Sequence, residues 1–95
     1  KNDIYKFNDM NISFSICYEL LFEDELIESF KNSNIIIHIS DLGWFKNKEA
    51  KSYLLNVAKI RAIESAKPLI YVVNSGDSAF ISSNGKIDLY NEYKN

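Results

Sequence analysis

The sequence predicts an α/β domain on a mixed sheet, and three observations carry that reading. Two apolar, mostly β-branched runs, 35–40 and 69–73, have the composition of strands buried on both faces. A stretch with helical spacing precedes each of them, at 20–32 and 48–67. A closing hairpin pattern around Asn84-Gly85 adds antiparallel pairing to what is otherwise a strand-helix-strand alternation.

In chain order, residues 3–7 read as a short strand or extended arm, and Asn8-Asp9 as a turn. Residues 12–18 alternate apolar and small polar side chains, the pattern of a half-buried strand. In the 20–32 helix, Phe22, Leu26, Ile27 and Phe30 make the apolar side. Glu23, Asp24 and Glu25 near its start suit the positive end of the helix dipole. Strand 35–40 carries His38, and the loop after it carries Trp44 and Phe45.

Asn47 is placed to cap the long helix, whose apolar side reads as Ala50, Tyr53, Leu54, Val57, Ala58, Ile60 and Ile63. Arg61 and Glu64 stand one turn apart on it, at pairing distance. Pro68 ends it, because proline cannot continue a helix and disfavours that conformation in Lys67. Strand 69–74, a turn at Ser75-Gly76-Asp77, strand 78–82, an Asn84-Gly85 hairpin turn and strand 87–90 follow, with a polar end at 91–95. Two helices cover one face of such a sheet. Nothing in the chain covers the other, which points to a missing half or a partner.

The 95 residues suffice for one small domain, and a net charge of −2 gives no broad basic field for nucleic acid. The single cysteine forms no internal disulfide. No apolar run reaches the ~18–20 residues that span a bilayer. One His and one Cys without ligand-spaced companions do not make a metal site, and no phosphate-cradling glycine loop is present. No cofactor is therefore expected. The opening Lys1-Asn2-Asp3, without a Met, fits a piece of a longer protein.

Cys17 is the candidate nucleophile, because a strand followed by a turn fixes a side chain and exposes it. The plainer reading is a small buried hydrophobe at a strand end. A thiolate needs a base and donors for the oxyanion. His38 is the only histidine, but within an apolar run it reads as a satisfied core side chain rather than the base. Glu19 is an acid or base beside the thiol, or a solvated carboxylate at a helix start. Trp44 and Phe45 either line an apolar pocket or plug the sheet edge.

The series Ile16-Cys17-Tyr18-Glu19-Leu20-Leu21-Phe22, Ile39-Ser40 before Gly43-Trp44-Phe45, and Ala58-Lys59-Ile60-Arg61-Ala62-Ile63-Glu64 is continued by Pro68, Asn74-Ser75-Gly76 and Asn84-Gly85-Lys86-Ile87. In order and spacing this series resembles the carbon–nitrogen hydrolase (nitrilase) superfamily. Cys-Tyr-Glu and Trp-Phe resemble its bacterial apolipoprotein N-acyltransferase branch. Asp41-Leu42 stands where that family carries Asn-Asp.

The resemblance implies an α-β-β-α sandwich of which residues 1–95 are the C-terminal portion, with half the domain and the membrane helices upstream. It implies a Glu–Lys–Cys triad with Cys17 as nucleophile, Tyr18 and Glu19 in support, and the Glu and Lys on upstream segments. Trp44 and Phe45 would face the acyl chain. The implied reaction moves an acyl chain from a phospholipid, through a Cys thioester, to the N-terminal cysteine amine of a lipoprotein. The implied setting is the bacterial inner membrane, with the catalytic domain on the periplasmic side. Without the other two triad members the chain alone is expected to be inactive. The alternatives are a soluble amidase of the same superfamily and a non-catalytic binding module.

Overall fold

A computed structural model describes residues 4–21, 23–43 and 47–90. Six strands among them form one sheet in sequence order: β1 (Ile4–Phe7), β2 (Met10–Ile16), β3 (Ile35–Ser40), β4 (Leu69–Val73), β5 (Ser78–Ile81) and β6 (Ile87–Tyr90). β2, β3 and β4 are parallel, and the outer pairs are antiparallel. α1 (Glu23–Lys31) links β2 to β3, and α2 (Lys48–Ser65) links β3 to β4. The expected mixed α/β sheet is therefore present. The expectations for the side chains of Glu23, Asp24 and Glu25, for Phe22, Trp44 and Phe45, and for 91–95 fall outside the described residues.

Local chemistry sets most boundaries. Asn8 and Asp9 take φ of 49° and 68°, the left-handed pair that a two-residue hairpin needs. The Asn47 side chain accepts from the Ala50 N–H at 3.1 Å and caps α2. α2 ends at Ser65, two residues before the expected Lys67. Ala66 turns left-handed (φ 59°), and the Lys67 N–H then donates to the Ala62 carbonyl at 3.1 Å, just before Pro68.

The stripe that α2 buries is Leu54, Val57, Ala58, Arg61, Ala62 and Ser65, at the 3–4 residue spacing of one helix face. This corrects the expected apolar side, since Tyr53, Ile60 and Ile63 lie largely exposed. Ala58 and Ala62, fully buried, let the helix approach the sheet closely. The β5–β6 turn also differs from the tight Asn-Gly form. The Gly85 N–H donates to the Ser82 carbonyl at 2.9 Å, and only Gly85 has positive φ (95°). The positive φ is what favours glycine there, and an added Cβ would stand 2.7 Å from Ile63 Cδ1, so that side chain would also have to shift.

The helix side of the sheet combines apolar and polar groups. Leu20, Leu26, Phe30, Ile36, Leu54, Leu69 and Ile81 form the apolar core. Beside them β2 buries Ser13 and Ser15, and β3 buries His38 and Ser40. Ser13 Oγ bonds Ser29 Oγ (2.9 Å) and Ser33 Oγ, tying β2 to the end of α1. Ser15 Oγ lies 2.6 Å from His38 Nδ1, and Ser40 Oγ 2.5 Å from His38 Nε2. The other face carries Ile12, Phe14, Ile16, Ile35, Ile37, Ile39, Ile70, Val72 and Phe80, with Ile16, Ile39, Val72 and Phe80 all more than 40% exposed.

Burial lowers the His38 pKa from 6.5 to about 4. Between those values the unfolded chain takes up a proton that the folded one refuses. Stability is therefore full above about pH 6.5 and falls as pH drops towards 4, by about 3 kcal/mol in all. Unfolding of the full-length protein followed across this range is expected to show that loss, and the His38→Gln variant to show it reduced. Equal slopes in the two proteins would contradict a neutral buried imidazole.

Candidate active site

Three parallel strands end at one edge of the sheet, and the crevice outside such carboxyl ends is where α/β proteins place ligands. β2 stops at Ile16, so Cys17 is not on the strand, as the 12–18 reading had it. It opens the 3₁₀ turn Cys17–Leu21. Its φ is 53°, a conformation that costs an L-residue roughly 1–2 kcal/mol. A cysteine placed only to fill space has no reason to carry that strain. A strained turn straight after a strand does, however, push a side chain out of the sheet edge. The thiol is half-buried.

The turn is held from both sides. The Glu19 carboxylate accepts from the Ile16 N–H at 2.7 Å, closing the chain around Cys17. The strand does not continue to Glu19, so the two side chains do not share a strand face. Tyr18 lies about half exposed, and Leu20 is completely buried as the anchor of the turn. Arg61 of α2, 8% exposed, donates through Nε to the Leu20 carbonyl at 2.8 Å. Its Nη1 meets Glu64 Oε1 at 3.1 Å, the pairing expected from their spacing.

Sequence reasoning named the Arg61–Glu64 pair but missed its attachment to the turn. The signal was available, since the 54, 57, 58, 61, 62, 65 periodicity puts a guanidinium on the buried face. A buried arginine needs acceptors from the main chain.

His38 is not available as a base for Cys17. Both ring nitrogens are engaged by serines, and the ring stacks on Tyr71 at 5.6 Å, as a satisfied core side chain does. The loop after β3 is clamped by Asn74, which sequence reasoning placed at the end of strand 69–74, whereas β4 stops one residue earlier. Asn74 Oδ1 accepts from the Leu42 N–H (2.8 Å), and Nδ2 donates to Asp41 Oδ1 (2.8 Å). Asp41 also accepts from the Gly43 N–H (3.1 Å), and these bonds hold its carboxyl below the usual carboxylate range. Asp41-Leu42 thus builds an ordered loop start. Among the described residues no group of His, Cys, Asp and Glu is placed to hold a metal ion.

The carbon-nitrogen hydrolase family model matches residues 1–89. Apolipoprotein N-acyltransferases resemble the chain in sequence. That of Coxiella burnetii is 36% identical over 72 residues, 76% of this chain and 15% of its own length. That of Wigglesworthia glossinidia brevipalpis is 36% identical over 83 residues, 86% of this chain and 17% of its own. The chain thus spans under a fifth of these relatives.

Two solved structures share the fold. One is a mutant amidase of the nitrilase superfamily from Nesterenkonia, with a TM-score of 0.76 and 12% identity over 94% of this chain and 37% of its own. The other is a CN-hydrolase superfamily protein from Xanthomonas campestris with an arsenic adduct in its active site. It has a TM-score of 0.74 and 16% identity over 95% of this chain and 39% of its own.

Two substitutions test the turn. Cys17→Gly removes the left-handed penalty and is expected to raise stability by about 1 kcal/mol. Arg61→Ala leaves the Leu20 carbonyl without its donor and is expected to cost about 2 kcal/mol. Thermal or urea unfolding of the full-length protein reads both, and a Cys17→Gly variant less stable than the parent would remove the case for strain.

Proposed function

The chain belongs to the carbon–nitrogen hydrolase family, and we propose that it is the nucleophile-bearing part of a membrane N-acyltransferase acting on lipoproteins. The observation that carries this reading is Cys17 at φ 53°, the first residue after a parallel strand. The acyltransferase names of relatives at 36% identity support the branch.

In the proposed reaction the Cys17 thiolate attacks an ester carbonyl carbon of a phospholipid. The C–S bond forms, the C–O bond breaks, and the glycerol oxygen leaves with a proton as a lysophospholipid. The free α-amine of a lipoprotein's N-terminal cysteine then attacks the thioester carbonyl. The C–N bond forms, the C–S bond breaks, the nitrogen loses its proton, and the thiolate returns. A glutamate and a lysine from upstream segments complete the triad as base and oxyanion donor.

Tyr18 and Glu19 support the nucleophile. The geometry favours a positioning role for Glu19, because its carboxylate is already engaged by the Ile16 N–H. Trp44 and Phe45 face the acyl chain. The bare apolar face of the sheet takes the second layer of an α-β-β-α sandwich. No helix among the described residues is long and apolar enough to cross a membrane. Anchoring by upstream spans, with this domain on the periplasmic side of a bacterial inner membrane, completes the proposal, which needs no cofactor.

The test is a mass spectrum of the full-length protein after incubation with phospholipid in detergent. An acyl adduct on Cys17 that hydroxylamine removes, and that passes to an amine acceptor, is expected. Cys17→Ala should abolish the adduct and lower transfer by about a thousandfold or more. Ammonia release from small amides in place of the adduct would move the protein to the amidase branch. A folded protein with neither activity would leave a binding module.

A further inference from the structure

We propose that Asn74 is a positioning residue for acyl transfer: it fixes the start of the loop after β3 against the end of β4, and so shapes the edge at which Cys17 receives its acyl group. This role rests on the acyl-transfer reading of Cys17.

Strand register places the parts. Ile16, Ile39 and Val72 are neighbours across β2, β3 and β4. Cys17, Ser40 and Val73 therefore follow side by side at the carboxyl ends, with Asp41 and Asn74 one residue further out. Adjacent strands lie about 4.8 Å apart, so the β3 loop leaves the sheet about one strand spacing from the nucleophile. The Cys17–Leu21 turn itself packs on β3. A carbonyl attacked by Cys17 lies outside these strand ends, bordered by the first residues of that loop.

Asn74 spends both ends of its amide on those residues. Oδ1 accepts from the Leu42 N–H at 2.8 Å, and Nδ2 donates to Asp41 Oδ1 at 2.8 Å. The same Asp41 oxygen accepts from the Gly43 N–H at 3.1 Å. Three successive residues thus take their places from one side chain. Leu42, 3% exposed, pins the segment to the core from within. Gly43 lies against the clamp, where an added Cβ would stand 3.4 Å from Asp41 Oδ1 and 3.7 Å from Asn74 Nδ2.

The β4 side of the clamp is anchored without help from the β3 loop. Ser78 Oγ accepts from the Val73 N–H at 3.0 Å, and Lys51 Nζ donates to Ser75 Oγ at 2.8 Å. Both neighbours of Asn74 are held, so the loop leans on β4 and not the reverse. Asp41 and Asn74 are themselves exposed, and water competes for the bond between them, which returns little net stability. What such a bond supplies is placement. Misplacing groups around a reacting carbonyl by about 1 Å costs rate, up to roughly a hundredfold, even where the fold is intact.

The test uses the full-length protein and a hexanoyl aryl ester. Release of the aryl alcohol reads acylation of Cys17, alkylation by iodoacetamide reads the thiol alone, and thermal unfolding reads the fold. Asn74→Asp keeps the acceptor for Leu42 but sets two carboxylates against each other across the clamp. Its acylation rate is expected to fall about tenfold, with alkylation within about twofold of the parent. The exchange Asp41→Asn with Asn74→Asp again sets a donor against an acceptor, and is expected to bring acylation back to within about threefold of the parent. If Asn74→Asp does not fold, Asp41→Ala reads the same bond: it leaves Leu42 on Asn74 and is expected to lower acylation severalfold with alkylation unchanged. Parent-like acylation in the folded single variant, no recovery in the exchange, or acylation and alkylation falling together would overturn the role of Asn74 and leave acyl transfer standing. A parent that is alkylated but never acylated would remove the acyl-transfer reading, and this role with it.

Discussion

Parallel pairing of β2, β3 and β4 is the constraint from which the rest of the molecule follows. Parallel neighbours need a crossover, and crossovers are right-handed. The chain steps from β2 to β3 to β4 in one direction, so both crossovers fall on the same face. α1 and α2 must then cover that face together, and no helix among the described residues is left for the other. The apolar side chains of that other face, from Ile12 to Phe80, are the direct consequence. The same pairing brings three strand ends to one edge, with the Cys17 turn, the Asn74-clamped loop and the β4–β5 turn side by side.

The covered face shows how a sheet tolerates polar groups beneath a site. Three strand serines and a histidine sit where apolar side chains would pack with less risk, since a buried polar group without a partner costs more than a bonded one returns. Each of these groups has its partner: Ser13 with Ser29 and Ser33, and His38 with Ser15 and Ser40. The bonds cross from β2 to β3 and from β2 to the end of α1, so they fix register more sharply than methyl groups would. Tyr71 stacks on His38 beside this network, and its buried hydroxyl has no partner among the described residues.

Much of this was legible in the sequence because it is local. Asn8-Asp9, Asn47 and Pro68 act on the backbone within a few residues, and each sets a boundary in the structure. The alternation of β-branched runs with helical spacing fixed the element order. Position 66 was opaque for the opposite reason: an alanine takes the left-handed cap that usually marks a glycine, so α2 ends two residues early. The Cys17 turn shows the same limit. Alternation continues through residue 18, and only the bond from the Ile16 N–H to Glu19 and the buried Leu20 break the strand at 16. Tyr53, Ile60 and Ile63 looked like core by hydropathy alone. Ridge spacing gives the buried stripe instead to Arg61 and Ser65, both polar.

The energetics of the turn explain why a helix forty residues further on matters to Cys17. A left-handed cysteine costs roughly 1–2 kcal/mol, and one hydrogen bond returns about 1 kcal/mol net. The Glu19 bond alone does not clearly hold the turn against relaxation into extended strand. The guanidinium of Arg61 on the Leu20 carbonyl adds a charge-assisted bond, worth about 1.5–3 kcal/mol and shielded from water by the same helix. Burial of Leu20 adds to it. With all three the strained form wins, and it becomes conditional on α2 being docked. The thiol is therefore presented only once the second crossover has closed, so a local strand-to-turn pattern delivers its side chain through a contact between residues 20 and 61.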